Sequence, residues 1–255
     1  PQSSYSHKQI DVEGIDIVMT LDISGSMIAE DLKPNRLEAA KAVGTEFLSS
    51  RPNDNIGLVI FAGESYTLCP LTTDKKTLVN LMGTIKDGMM DEDGTAIGMG
   101  LANAVNRLKD SQAKSKVIIL LTDGTNNRGE IDPLTASELA KAYGIRVYTI
   151  GVGTKGEAPY PVQTIFGIQK QMVPVEIDEE TLEAIAEKTG GHYFRATNNN
   201  SLKAIYNDID KMEKTKIKVT EHTSKNEEYL PYAIAAILLL LLEILLRNTI
   251  LRHIP

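Results

Sequence analysis

Cysteine occurs once, at Cys69, so an intramolecular disulfide is excluded and the thiol says nothing about compartment. No histidine stands near it in the chain, and a small apolar packing residue is a simpler reading of Cys69 than a nucleophile. Histidine is itself scarce. His7, His192, His222 and His253 are scattered, which leaves a histidine general base unsupported. Lysine and arginine do not cluster along the folded part, and 27 of them against 34 acidic residues give a net charge of −7. The electrostatic footprint of a nucleic-acid binder is missing, so nucleic acid is not an expected partner. The chain starts at Pro1 and shows no charged, apolar, small-residue leader, so an upstream segment is expected to precede it.

What is present organises around one stretch. A chain of 255 residues, 42% of them hydrophobic, has room for one α/β domain plus an appendage. The apolar run Ile15-Asp16-Ile17-Val18-Met19-Thr20 reads as a buried strand, and it closes in Leu21-Asp22-Ile23-Ser24-Gly25-Ser26-Met27, where Ser-Gly-Ser forces a turn. Spacing by two in an extended segment points Asp22, Ser24 and Ser26 the same way. One carboxylate and two hydroxyls at the carboxyl end of a strand, where parallel α/β sheets bind ligands, suit a hard cation.

Asp22-x-Ser24-x-Ser26 after an apolar strand resembles the first part of the metal-ion-dependent adhesion site of von Willebrand factor A (VWA) domains. That family needs a threonine on a second loop and an aspartate on a third. Asp93-Gly94-Thr95-Ala96-Ile97-Gly98 supplies Thr95, and the strand ending Leu120-Leu121-Thr122-Asp123-Gly124 supplies Asp123, in the family's order. The resemblance implies a divalent metal, Mg²⁺ first with Mn²⁺ or Ca²⁺ left open, held at Asp22, Ser24, Ser26, Thr95 and Asp123. The hydroxyls are neutral and would hold the ion without cancelling its charge. The family's pattern has one or both carboxylates act through water, leaving the ion open to an acidic side chain of a partner. Taken one by one, the same residues read more plainly: Ser24, Ser26 and Thr95 as helix caps, the aspartates as turn residues.

Periodicity predicts a doubly wound, mostly parallel sheet flanked by helices over residues 14–216. Helix 36–48 lies between strands 15–21 and 56–61, the signature of a parallel crossover. Residues 65–71 read as an antiparallel edge strand, 74–86 as a helix, and 89–94 as an acidic loop that presents Thr95. A helix follows to about Lys109, with Gly98 and Gly100 expected to let backbone approach the site. Strand 116–122 delivers Asp123. Asp132 and Pro133 read as cap and first residue of a helix to Tyr143, before strand 145–151. Gly151-Val152-Gly153-Thr154-Lys155-Gly156 fits a dinucleotide fingerprint, but Glu-Ala-Pro-Tyr-Pro after it cannot open the required helix, so it reads as a turn. Strands 162–166 and 169–175 around Gly167 suggest an inserted β-hairpin, spanning about 158–176. Asp178 caps a helix to Lys188, strand 192–196 follows, and a final helix spans 201–214 with Ile205, Ile209 and Met212 inward.

Residues 1–13 and 217–228 read as linkers. Residues 229–247 are apolar apart from Glu243 and Arg247 and are expected to span a membrane, with a short basic tail at 248–255. Arg247, Arg252 and His253 follow the run while Glu221, Glu227 and Glu228, with Lys225, precede it, a bias that is expected to put the tail in the cytoplasm and the domain on the periplasmic side of a bacterial inner membrane. Phe61-Ala62-Gly63-Glu64, Cys69-Pro70-Leu71-Thr72-Thr73-Asp74, Thr122-Asp123-Gly124-Thr125-Asn126-Asn127, Val147-Tyr148-Thr149-Ile150-Gly151-Val152-Gly153 and Thr189-Gly190-Gly191-His192-Tyr193-Phe194-Arg195-Ala196 resemble the bacterial aerotolerance (Bat) proteins, most closely their BatA branch. That resemblance implies sister Bat proteins and a MoxR-type AAA+ ATPase as partners, in a homo- or hetero-oligomer. The expected activity is binding. The rivals are an Mg²⁺-dependent phosphatase of the haloacid dehalogenase type, which wants a second aspartate where Ser24 stands, and a structural scaffold with a vestigial metal site.

Overall fold

The computed structural model describes residues 2–3, 14–165, 167–216, 226–227 and 229–249. Two compact units emerge, residues 13–217 and a second made of 1–12 with 218–255.

In the larger unit a six-stranded sheet is built from β1 (Asp16–Asp22), β2 (Asn55–Phe61), β3 (Ser65–Thr72), β4 (Lys116–Thr122), β5 (Arg146–Val152) and, after a hairpin, β8 (Tyr193–Ala196). Their spatial order is β3-β2-β1-β4-β5-β8. Every neighbouring pair is parallel except β2 and β3, so the expected antiparallel edge strand is present. From β1 the chain first winds outward through β2 and β3, then returns to the other side of β1 at β4. The strand order therefore reverses between β1 and β4, and ligands of such sheets bind beyond the carboxyl ends of the strands at this switch point. Asp22 closes β1 and Asp123 follows β4, so both reach it.

Helices α1 (Arg36–Ser49), α2 (Lys75–Thr84) and α6 (Asn199–Lys216) cover one face, and α3 (Ile97–Leu108), α4 (Pro133–Ala142) and α5 (Glu179–Thr189) the other. Period-2 alternation in β1 decides which residue meets which layer. Ile17, Met19 and Leu21 pack with Leu37, Phe47 and Leu78, whereas Val18 packs with Leu101, Ala140 and Ile185. Each fully buried branched side chain contributes about 1.5–3 kcal/mol. Two covered faces explain the unbroken apolar runs that made these strands legible. Caps fix the helix starts: Asn35 accepts from Glu38 N–H, Asp132 from Thr135 N–H ahead of Pro133, and Asp178 from Thr181 N–H. Gly190, at φ 74°, ends α5 in the left-handed region.

Between β5 and α5 stands the two-stranded hairpin of β6 (Glu157–Thr164) and β7 (Gly167–Pro174), whose residue 166 lies outside the described residues. Its first strand begins five residues earlier than the predicted strand 162–166, close to the start of the expected insertion. Pro159 and Pro161 are two apart, so both turn their missing N–H away from β7 and cost the ladder nothing. Gly98 admits the backbone of the loop that follows Asp123: a Cβ there would sit 1.9 Å from the Ile131 carbonyl oxygen, and Gly98 N–H donates to Asn126 Oδ1 at 3.4 Å. Gly100 departs from expectation, since a Cβ there would lie 2.8 Å from the Phe61 ring, so it serves packing of α3 against β2.

In the second unit Gln2–Ser3 pairs antiparallel with Asn226–Glu227, and α7 (Tyr229–Thr249) forms a helix of 21 residues. Its apolar side chains point outward, with Ile237, Leu240 and Leu242 more than half exposed. Among the described residues no helix is long and apolar enough to cross a membrane. The expected transmembrane helix is thus not shown as a span: the helix is there, but its described side chains cover only 232–247. The rest of the expected linkers, and the tail from residue 250, lie outside the described residues.

Candidate metal centre

Three strand-end loops converge at the switch point. The turn at Gly25–Ile28 follows Ser24 directly and brings the two serines together, Ser24 Oγ lying 3.0 Å from Ser26 Oγ. Ser26 Oγ donates to Asp123 Oδ1 at 2.6 Å across 97 residues of chain. Asp22 lies beneath them, fully buried, accepting from Ser24 N–H at 2.9 Å and from Thr122 Oγ1 at 2.5 Å. Thr95 belongs to the second loop. Its Oγ1 lies 3.3 Å from where a Cβ on Gly124 would stand, which places it beside the Asp123 loop. That loop is pinned through backbone: Asn127 Oδ1 accepts from Thr95 N–H at 2.9 Å, Asn127 N–H donates to Thr95 O at 3.0 Å, and Ala96 N–H donates to Ala62 O at 2.7 Å. The structure brings all five expected residues together.

Charge at the centre is unbalanced. Burial, and then the charge of Asp123, push the Asp22 carboxyl up to about 7, and burial raises Asp123 as well. One cation is already supplied from within. Arg36 Nη1 donates to Asp123 Oδ2 at 2.7 Å, and its Nε and Nη2 grip Asp31 at 2.8 and 2.7 Å. Burial alone would raise the Asp31 carboxyl, but Arg36 and the Thr154 N–H hold it below its ordinary range. Arg36 was not among the expected site residues. The one signal for it is weak: it is the first residue of α1, where the helix dipole disfavours a cation.

The hairpin forms one wall. Glu30 N–H donates to Pro159 O at 2.8 Å, Tyr160 Oη donates to Gly25 O at 3.1 Å, and Lys170 pairs with Glu30. Between the hairpin and the three loops opens a cleft of about 430 Å³, lined by Ser26, Thr95, Asp123, Tyr160, Val173 and Val175 among others.

Residues 16–208 match the von Willebrand factor type A domain family. The chain belongs to that family. Among relatives of this VWA chain, an uncharacterized protein of Borreliella burgdorferi is 33% identical over 94% of the chain and 71% of its own length. A UPF0353 protein of Mycolicibacterium paratuberculosis is 33% identical over 76% of the chain, which spans only 59% of that relative. Solved structures of BatB from Bacteroides thetaiotaomicron (32% identity, 79% of this chain and 100% of that one, TM-score 0.69) and of an aerotolerance-related membrane protein from Bacteroides fragilis (30%, 78% and 100%, TM-score 0.66) share its fold. The Bat group is thereby shown. Its BatA branch is not singled out, since the matched structure is BatB. A proximal thread matrix protein of the mussel byssus, solved with a zinc-occupied MIDAS motif, is 25% identical over 80% of this chain and 47% of that one, with a TM-score of 0.60.

The donor set of the VWA domain fits a hard cation. Neutral hydroxyls meet a carboxylate at hydrogen-bond distance, and among the described residues the buried Asp22 has no cationic partner of the kind Arg36 gives Asp123. Among the described residues no three His, Cys, Asp or Glu side chains cluster as a metal group. The site instead combines two carboxylates with three hydroxyls, an all-oxygen donor set of the kind divalent cations take.

Proposed function

We infer that this VWA domain holds a divalent cation, Mg²⁺ first, at Asp22, Ser24, Ser26, Thr95 and Asp123, and that it captures an acidic side chain of a protein partner there. The observation that carries the reading is the junction of Ser24, Ser26 and Asp123, closed at 3.0 and 2.6 Å by loops far apart in sequence. The cation, when bound, supplies the positive charge that a partner carboxylate completes. The protein's own groups do the rest. Serine and threonine hydroxyls leave the ion's charge uncancelled, Thr122 and the Ser24 N–H fix the Asp22 carboxylate, and Arg36 holds Asp123 with one oxygen turned to Ser26. Tyr160 and Val173 wall the cleft, so a partner side chain enters a partly dehydrated space.

The chain acts by binding rather than catalysis in this reading. Ser24 stands where a dehalogenase-type phosphatase needs its second aspartate, and His192 packs against Phe194, ring centroids 6.5 Å apart, not in the cleft. In this reading α7, whose described residues do not themselves amount to a span, tethers the chain to the membrane through its exposed apolar side chains. By charge bias the domain is periplasmic and the basic tail cytoplasmic at a bacterial inner membrane. Sister Bat proteins and a MoxR-type AAA+ ATPase are the partners that family resemblance implies.

A scaffold without metal is the second reading. Arg36 favours it, because a resident guanidinium already neutralises Asp123. Capture of sister Bat proteins by the full chain in detergent, with Mg²⁺ and then with EDTA, separates the two. Loss of capture in EDTA, and in folded Asp22→Ala and Thr95→Ala variants, supports the metal reading. Unchanged capture in all three leaves the scaffold.

A further inference from the structure

Among the described residues the hairpin has one edge docked and one edge bare. Hydrogen bonds fix which backbone groups face outward. Pro159 O accepts from Glu30 N–H, so it points away from β7, and Val175 N–H donates to Gly156 O, so that pair faces inward. Alternation along an antiparallel ladder then turns the N–H and C=O groups of the residues opposite Pro159, Pro161 and Gln163 to the far side. Those residues are Met172, Lys170 and Ile168, on a strand that pairs only with β6 among the described residues. Ile168 is 71% exposed and Met172 55%. An edge of this kind is a template for another strand.

Lys170 selects the occupant. A second copy pairing antiparallel about this residue would set two lysines opposite each other, which is unfavourable, and lysine on an edge is a known guard against self-association. An acidic strand meets the opposite situation, because Lys170 stays 61% exposed while touching Glu30. The same strand continues through Val173 into the wall of the metal cleft. At about 3.4 Å per residue, a segment paired at Lys170 reaches that wall within roughly three to five residues.

We propose that β7 receives an extended, acidic segment of a partner protein by β-strand addition at Ile168, Lys170 and Met172, and that this segment carries its metal-seeking carboxylate into the adjoining cleft. The second clause rests on the metal-dependent reading above; the first does not.

The probe is a set of end-blocked octapeptides alternating valine and threonine, with one aspartate placed at each position in turn. They are titrated into the full chain in detergent with Mg²⁺, and amide hydrogen exchange is read residue by residue. Protection gained at Ile168, Lys170 and Met172, with Gln169 and Gln171 already protected by β6, is expected. Lys170→Pro, which removes an outward N–H, and Lys170→Glu, which keeps the backbone, should each weaken binding at least tenfold. Equal binding by both variants, or no binding by any peptide at millimolar concentration, overturns the proposal. So does self-association of the chain that Lys170→Pro abolishes, since the occupant would then be a second copy. Binding lost in EDTA yet kept in the Lys170 variants upholds the metal and refutes the edge. The reverse pattern upholds the edge and refutes the metal.

Discussion

Arg36 Nη1 sits 2.7 Å from Asp123 Oδ2, so the aspartate that closes the metal centre is already bound to a cation of the protein's own. Both side chains are almost wholly buried, and the guanidinium's other edge holds Asp31, which accepts from the Thr154 N–H at 2.8 Å, where β5 leads into the hairpin. Metal centre and hairpin base thus share one ion network.

Breaking a buried pair by removing one partner costs about 3–5 kcal/mol, because the other charge is left uncompensated. Arg36→Met is expected to destabilise the metal-free protein by about that amount. Its Mg²⁺ affinity should rise, since Asp123 would no longer be neutralised. Chemical denaturation with and without Mg²⁺ checks both, and unchanged metal affinity would show that Arg36 and the ion do not compete.

Asp22 gives a pH dependence of definite sign. Its carboxyl rises from an ordinary value near 4 in the unfolded chain to about 7 when folded, through burial and then Asp123. The folded state therefore binds the extra proton, and stability is lost as pH climbs from about 4 through 7. In EDTA the melting temperature should fall across that window, and Asp22→Asn should flatten the fall. Mg²⁺ should restore most stability above pH 7, where the carboxylate is ionised.

At the opposite end of the sheet, Glu213 fastens α6 to β4 and β5. It is 1% exposed and accepts from Ser115 Oγ at 2.8 Å, Tyr148 Oη at 2.5 Å and Arg146 Nε at 3.0 Å. Glu213→Ala is expected to cost about 3–5 kcal/mol in urea denaturation. Metal affinity should not change, because the site lies beyond the other ends of these strands.

Gly98→Ala poses a test of sign. Helix propensity alone would favour alanine by roughly 0.5–1 kcal/mol. The added methyl, however, would lie 1.9 Å from the Ile131 carbonyl oxygen, so overpacking of about 1–3 kcal/mol should win and the variant should melt lower.

What could be read from sequence was what local chemistry decides. Strand Lys116–Thr122, the Asp132 cap before Pro133 and the Gly190 stop follow from apolar runs, side-chain oxygens and backbone freedom, and the structure has them in place. Of the five oxygen donors, Asp22, Ser24 and Ser26 were legible as a spaced set after an apolar strand, and Thr95 and Asp123 joined them through the resemblance to the VWA motif. Partners distant in sequence were harder. Arg36 meets Asp123 across 87 residues, and no local pattern names that contact. The hairpin was expected, but its first strand was started at 162, and alternation puts Pro159 and Pro161 on the outer side of a strand that begins at Glu157. Gly100 was misassigned because closeness to Thr95 in sequence hid its packing against Phe61.

The most direct test of the central claim is calorimetric titration of Mg²⁺ into the full chain at pH 7.5, beside Ser26→Ala. Ser26 touches both Ser24 and Asp123, is exposed enough to be replaced without a cavity, and would be a direct ligand. The account predicts one Mg²⁺ per chain, bound at least tenfold more weakly by the variant. Equal binding by both proteins, or none by either, would contradict it.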